Sequence, residues 1–184
     1  MMTQVSSGDN LSAITNSVGG DETAVKSALG MGLPMLLGSM SNTASQKGGM
    51  DMLTNMMAQT GGSDPMANLS GFLGSSAAAG GGGMLNSLLG SQLEPIQNAI
   101  AQKTGLPPAV VGKVLAIAAP MLMSYVGKKF TQQKMDSAGL TNLLEEESKL
   151  ALKSSPEVAS MAEEFMGKQE ESGGLTGLLK KLLK

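Results

Sequence analysis

Apolar residues recur along much of the chain at intervals of three and four, the spacing of one face of an α-helix. Two segments carry this pattern most clearly, residues 14–40 and residues 100–126. Each predicts a short helix, a tight turn and a long helix that is apolar on nearly every side, which is typical of a helix buried at the centre of a fold. The pattern therefore predicts an all-α fold.

The predicted turns carry residues that end and begin helices. Gly19 and Gly105 follow the two short apolar stripes, and glycine readily adopts the left-handed conformation that ends many helices. Asp21 is placed to cap the first long helix. Pro107 and Pro108 precede the second long helix, where the fixed φ angle of proline favours a helix start. Both segments are therefore predicted to be helix-turn-helix units.

Each long helix carries an internal proline on a continuous apolar stripe. Pro34 and Pro120 are expected to kink or break their helices so that each part follows a curved core, because an interior proline costs about 3 kcal/mol. A hinge that gates a site between the two segments is the alternative. The stripes are Val25, Leu29, Leu33, Leu36 and Met40 in one segment, and Val111, Leu115, Ala119, Leu122 and Val126 in the other.

The two segments are also related in sequence. With a shift of 86 and no gap, seven of 27 positions are identical, including Gly19 with Gly105 and the triplet PML at Pro34 and Pro120. After a one-residue slip, LTNMM from residue 53 matches LTNLL from residue 140. We therefore predict a compact helical domain built from two related repeats, residues 1–60 and 93–154, that share one core and bend equivalently at Pro34 and Pro120.

The other segments are interpreted as connectors and peripheral helices. Residues 61–92 would contain a short helix, capped by Asp64 and started by Pro65, and a flexible tether, SSAAAGGGG, over residues 75–83. Residues 155–172 would form an acidic helix and a linker. Residues 173–184 would form a C-terminal amphipathic helix.

This tail has leucines on one face and lysines on the other. Its beginning, SGGLTGLL from Ser172, repeats SAGLTNLL from Ser137, so we expect the tail to dock on its own fold or on a neighbouring subunit. Binding to an anionic membrane surface is the alternative. The candidate interaction residues are Leu175, Leu178, Leu179, Leu182 and Leu183, with Lys180, Lys181 and Lys184 opposite.

The composition removes several kinds of chemistry. The 184 residues include no Cys, His, Arg or Trp, so the usual imidazole bases, thiolate nucleophiles and nitrogen or sulfur metal ligands are missing. A net charge of −2 and only four aromatic residues give neither the charge nor the stacking surface typical of nucleic-acid binding. We expect no cofactor, metal, small-molecule or nucleic-acid site.

Several short motifs fail to meet the requirements of the sites they suggest. GLPPAVVGKV from Gly105 has six residues between its glycines and Val after its Lys, whereas a phosphate-binding loop needs four and a Ser or Thr. The acidic run at residues 145–147 is interpreted as a solvated helix face rather than a cation site. The 16 methionines are interpreted as core filling, with an adaptable helix-binding groove as the alternative.

The N-terminus has no signal-peptide pattern. The longest apolar runs are 13 and 12 residues long and each contains a proline, whereas a membrane-spanning helix needs about 20 apolar residues. Both runs are therefore predicted to be buried core helices, and we expect a cytoplasmic protein.

The order of several small and apolar motifs resembles a known family. GFLG, MLNSLLG, IQNAIAQKTGL, VVGKVLAIAAPMLM and SAGLTNLLEEES follow one another from Gly71 and resemble the bacterial family called domain of unknown function 937, related to the YidB proteins. GDETAVKSALGMGLPMLLGSM, in the first segment, resembles the opening half of the same family. The resemblance covers about residues 12–147 and implies a compact helical fold, with no activity or functional residues to transfer.

The duplication, the Met-rich apolar faces and the missing catalytic side chains favour a non-enzymatic helical interaction or scaffold module. We expect it to self-associate or to bind a protein partner. A peripheral membrane protein that uses the Leu/Lys tail is the first alternative. An enzyme with a carboxylate or Ser/Lys site not visible in the sequence is the second.

Overall fold

The computed structural model describes residues 8–60, 68–74 and 80–153. Every regular element in these three ranges is a helix and no strand occurs there, so the predicted all-α fold class is confirmed. The α-helices are α1 (Gly8–Val18), α2 (Glu22–Ser45), α3 (Gly49–Gln59), α4 (Leu69–Leu73), α5 (Gly81–Leu89), α6 (Leu93–Thr104), α7 (Pro108–Gln132) and α8 (Ser137–Lys153). A short 3₁₀ turn, Gly90–Gln92, joins α5 to α6.

The predicted turns at the starts of the two long helices are confirmed. Gly19 and Gly105 have φ angles of 75° and 74°, in the left-handed region where a side chain would be strained. The Asp21 carboxylate caps α2 by accepting the N–H of Ala24 at 3.0 Å. Pro107 occupies the N-cap of α7, with Pro108 in the first turn.

The two long helices, α2 and α7, lie at the centre and pack against each other. Both contact α1 and α6, while α8 packs on α2 and α3 packs on α7. The two predicted stripes are buried throughout and belong to one hydrophobic core. The closest approach includes Gly32, where an added Cβ would overlap a methyl group of Leu115. A small residue at this position therefore lets the two helices cross closely.

Both internal prolines are buried, and α2 and α7 continue past them. The alternative in which each long helix breaks into two at its proline is therefore wrong. Each proline costs its helix one backbone hydrogen bond. Burial of the apolar stripe on both sides of Pro34 and Pro120 outweighs this free-energy cost.

The predicted flexible tether over residues 75–83 is wrong at its C-terminal end, because residues 81–83 form the first turn of α5. Tertiary contact explains why glycines are helical here. A Cβ on Gly81 would overlap the carbonyl oxygen of Ala116 in α7, so only glycine permits this approach. The Ala116 carbonyl is the one that loses its helical N–H donor to Pro120, four residues later.

The short helix predicted within residues 61–92 is present as α4. Asn68 is its N-cap, and the side-chain oxygen accepts the N–H of Gly71 at 3.0 Å. The predicted start at Asp64 and Pro65 is therefore wrong for this helix, which begins at Leu69; those two residues lie outside the described residues. The acidic helix expected in residues 155–172 and the tail helix of residues 173–184 also lie outside them.

By length and composition alone, α7 could cross a membrane. The apolar run predicted from the sequence covers only residues 115–126, whereas the helix itself has 25 residues. In this fold 61% of its most apolar window is buried inside the protein. The central position of α7 accounts for its hydrophobic composition.

Candidate functional site

An open groove of about 480 Å³ lies between α3 and the C-terminal half of α7. Met57 and Ala58 contribute from α3, and Phe130 contributes from α7. The remaining lining residues are small or polar: Thr54, Thr60, Ser124, Gly127, Lys128, Thr131 and Gln132. The groove is thus an apolar depression with a partly polar margin.

Gly127 sets how closely α3 approaches α7 beside the groove. A Cβ added at Gly127 would lie 3.4 Å from the Cβ, Cγ and Sδ atoms of Met57. The thioether side chain of Met57 therefore lies directly over the bare backbone of α7. Methionine suits this position because its flexible side chain adapts to an irregular surface.

Three threonines make the lining more apolar than its composition suggests. The hydroxyls of Thr54, Thr60 and Thr131 donate to the carbonyls of Met50, Met57 and Gly127, at 2.9, 2.7 and 2.9 Å. Each hydroxyl thus already has a backbone partner and does not need a hydrogen bond from a ligand. The groove is suited to apolar side chains such as those on one face of a helix.

The corresponding position in the other half of the molecule is closed. LTNLL in α8 places Leu140, Leu143 and Leu144 in the core against α2. LTNMM in α3 places Leu53 and Met56 in the core, but Met57, which corresponds to Leu144, is only half-buried. The change from leucine to methionine is the sequence signal that accompanies the groove.

A polar cluster joins α7 to α8 on the side of Glu147. The Glu147 Oε1 atom accepts hydrogen bonds from Lys129 Nζ at 2.9 Å and from the Tyr125 hydroxyl at 3.1 Å. Lys129 Nζ also lies 5.0 Å from the Tyr125 ring centroid, a cation–π distance. Hydrogen bonding to Tyr125 and then to Glu147 raises the pKa of Lys129, against a smaller opposing effect of burial.

The acidic run at residues 145–147 is therefore only partly the solvated face predicted from the sequence. Glu146 is exposed, but Glu147 forms the buried side of an ion pair in which its side chain is 19% exposed. Glu145 pairs with Lys149 one turn later at 3.7 Å. Glu147 differs from the prediction because it pairs with Lys129 and Tyr125. These partners lie 18 and 22 residues away in sequence, so helical spacing does not reveal them.

The described residues contain no group of three or more side chains able to hold a metal ion. The groove lining includes one charged side chain, Lys128, and no carboxylate. Its geometry therefore favours binding by packing rather than by charge or coordination.

The candidate residues from the sequence divide into two sets. Gly19 and Gly105 form the turns before α2 and α7, and Leu36 and Leu122 are completely buried beside the internal prolines. The interaction candidates, Leu175, Leu178, Leu179, Lys180, Lys181, Leu182, Leu183 and Lys184, all lie outside the described residues. The groove was not assigned to any position from the sequence, although a Met-lined helix-binding groove was an alternative.

These features define an all-α protein with two long central helices and a lateral helix-packing groove. A family model described as "Bacterial protein of unknown function (DUF937)" matches residues 1–129. This match covers more than two thirds of the 184 residues, and the chain belongs to this family, as the order of its motifs indicated. Neither the curated proteins nor the solved structures include a match to the chain.

Proposed function

We propose that the protein is a non-enzymatic, cytoplasmic helical interaction module that binds an amphipathic helix and self-associates. The observation that carries the proposal is the groove between α3 and α7, with Met57 and Phe130 half-buried in its wall. Helices of other proteins bind comparable depressions through apolar residues three and four positions apart. Flexible Met57 can adjust to different side chains in such a ligand.

The two related repeats are part of this proposal. Their long helices begin at Glu22 and Pro108, 86 residues apart, which is the shift that aligns the sequences. The positive φ angles at Gly19 and Gly105 have the same separation, as do those at Gly48 and Lys134. Equal separations at the helix starts and at both turns support descent of the two halves from one helical unit.

The packing of the repeats also supports a module made for helix association. The third helix of each half packs on the long helix of the other half, α3 on α7 and α8 on α2, and α3 also packs on α2. Each half therefore already binds a helix supplied by its relative. A second copy of the chain, or a protein partner with a similar helix, would use the same kind of contact at the groove.

The test compares the solution mass of the full chain with two variants on adjacent exposed positions of α3. Ala58→Glu introduces a charge into the groove, and Gln59→Glu introduces the same charge beside it. Sedimentation equilibrium from micromolar to millimolar protein should give a mass above the 18.7 kDa of one chain. Ala58→Glu should weaken that association, and Gln59→Glu should not.

A wild-type mass of one chain at every concentration would count against self-association. Equal behaviour of the two variants would remove the groove from the proposal. Flotation of the wild-type protein with phosphatidylserine vesicles, lost in a Lys180→Ser, Lys181→Ser variant, would favour the membrane alternative.

A further inference from the structure

We propose that residues 173–184 of the same chain dock as a helix in the groove between α3 and α7. The leucine face would enter the groove, and the lysines would point to solvent. The proposal rests on the proposed function in one respect, that the groove accepts an amphipathic helix. It adds the identity of the occupant and implies that any other helix must displace it.

The first argument is a sequence repeated at two places. SAGLTNLL from Ser137 begins α8, and SGGLTGLL from Ser172 begins the tail, 35 residues later. In α8 the three leucines of this motif, Leu140, Leu143 and Leu144, are all in the core. By register the corresponding tail residues are Leu175, Leu178 and Leu179.

The second argument is the place of the groove in the fold. α8 packs along α2, and the structurally corresponding surface of α7 carries α3 and the groove. The α8 motif thus packs into the core on one long helix, while the other long helix has a depression beside α3. The groove on α7 therefore offers a second segment with the α8 motif a surface similar to the one that α8 occupies on α2.

The third argument is reach. Glu147 of α8 bonds to Lys129 on α7, and the neighbouring Lys128 lines the groove. α8 ends six residues after Glu147, a rise of about 9 Å, and a helix with its side chains is about 10 Å across. The 19 residues from 154 to 172 span about 28 Å as a helix and up to about 60 Å when extended, and either length exceeds this separation.

A tether of this length also favours the same chain over a second copy. A covalent connection that can span the distance gives its end an effective concentration of up to about the millimolar range. A tail from a second molecule reaches that level only in very concentrated solution. Docking within one chain would therefore regulate the groove, because a partner helix must compete with the tail.

Disulfide trapping tests this placement cleanly because the chain contains no cysteine. One cysteine replaces Thr176, which lies at the edge of the leucine face by helical register. The other replaces Thr54 or Thr131, both exposed residues on opposite walls of the groove. The matched control pairs Thr176→Cys with Lys26→Cys, an exposed position on α2 that does not line the groove.

At low protein concentration, one or both groove pairs should form an intramolecular disulfide at least about tenfold faster than the control pair, the effect of a raised local concentration. Adding Leu178→Ser and Leu179→Ser should abolish the difference, whereas adding Lys180→Ser and Lys181→Ser should keep it. Equal rates for groove and control pairs would overturn the proposal. Disulfides formed only between chains would overturn docking within one chain.

The outcomes separate this proposal from the proposed function. If no disulfide forms but the solution mass responds to Ala58→Glu, the proposed interaction module is supported and docking of the tail in the groove is excluded. Successful trapping in a protein that never associates would establish tail docking and exclude self-association.

Discussion

The third helices of the two halves, α3 and α8, begin with similar sequences but cover their long helices differently. On α2, α8 forms a closed interface in which Leu144 is completely buried. On α7, α3 leaves an open groove in which Met57 is half-buried. The helices also differ in length, 11 residues in α3 against 17 in α8.

The difference follows from the side chains at each interface. A branched leucine with few rotamers gives a tight interface, whereas a flexible methionine over Gly127 tolerates an incomplete one. The closed interface of α8 with α2 stabilises the fold, and the open interface of α3 with α7 leaves part of the surface uncovered. Similar sequences therefore form a closed interface in one place and an open one in the other, through a few side chains.

The largest expected effect concerns the buried core leucines at equivalent positions of the two halves. Leu36→Ala and Leu122→Ala should each lower the free energy of unfolding by about 2–5 kcal/mol, because both residues are completely buried in the core. Chemical denaturation measures the loss. Leu150→Ala is the control, since this leucine is 63% exposed and its replacement should change stability by less than about 0.5 kcal/mol. A loss below about 1 kcal/mol for either core variant would contradict equivalent core roles.

The next prediction compares the α8–α2 interface with the α3–α7 interface. Leu144→Ala should destabilise the protein by about 2–5 kcal/mol, because it opens a cavity in a closed interface. Met57→Ala should cost less than about 1.5 kcal/mol, because the side chain already borders solvent. Urea unfolding of both variants gives the comparison. Equal losses of stability would mean that the α3–α7 interface is packed as tightly as the α8–α2 interface.

A third prediction concerns α5, which covers α7 but has no counterpart on α2 among the described helices. Gly81→Ala should destabilise by about 1–3 kcal/mol, because its Cβ would meet the Ala116 carbonyl oxygen and force α5 away. Gly82→Ala should instead stabilise by up to about 1 kcal/mol, since that position is open and alanine favours the helix. Thermal unfolding of the pair measures both signs. Similar effects of the two changes would argue against the close contact of α5 with α7.

The smallest expected effect concerns the link between α7 and α8. The raised pKa of Lys129 means that the folded state holds its proton more tightly than the unfolded state. This stabilisation is fully present below the ordinary lysine pKa of 10.5 and is lost as the pH rises through the higher folded value. Lys129→Met should therefore cost below about 1 kcal/mol at neutral pH, and the difference from wild type should shrink only above pH 10.5.

Denaturation of wild type and Lys129→Met from neutral to alkaline pH measures that difference. Lys134→Met is a suitable control, because Lys134 is exposed on the turn between α7 and α8. A difference that disappears between pH 7 and pH 9 would contradict the sign of the effect.

The sequence predicted those parts of the fold that depend on neighbouring residues. Gly19, Asp21 and Pro108 act within one turn of the helices they end or begin, and the apolar stripes report burial through spacing alone. The first turn of α5 was missed because glycine disfavours helices by about 1 kcal/mol relative to alanine. The backbone against which Gly81 packs, at the Ala116 carbonyl, lies 35 positions further along the chain.

The groove and the polar cluster depend on how helices meet, which spacing does not encode. Gly127 and Met57 lie 70 positions apart, so the sequence could indicate a flexible surface but not its location. The sequence predicted only that Glu147 belongs to a solvated acidic face. Its pairing with Lys129 follows from the position of α8 on α2, which places Glu147 beside the last turns of α7.

The crossed packing of α3 on α7 and α8 on α2 has a consequence for how the chain is divided. Neither half contains its own complete set of covering helices, so each half alone would expose an apolar long helix to water. Two separate polypeptides, cut within the connector, would therefore fold only by assembling with each other. A covalent link between the halves would then raise their local concentration, which requires no particular sequence.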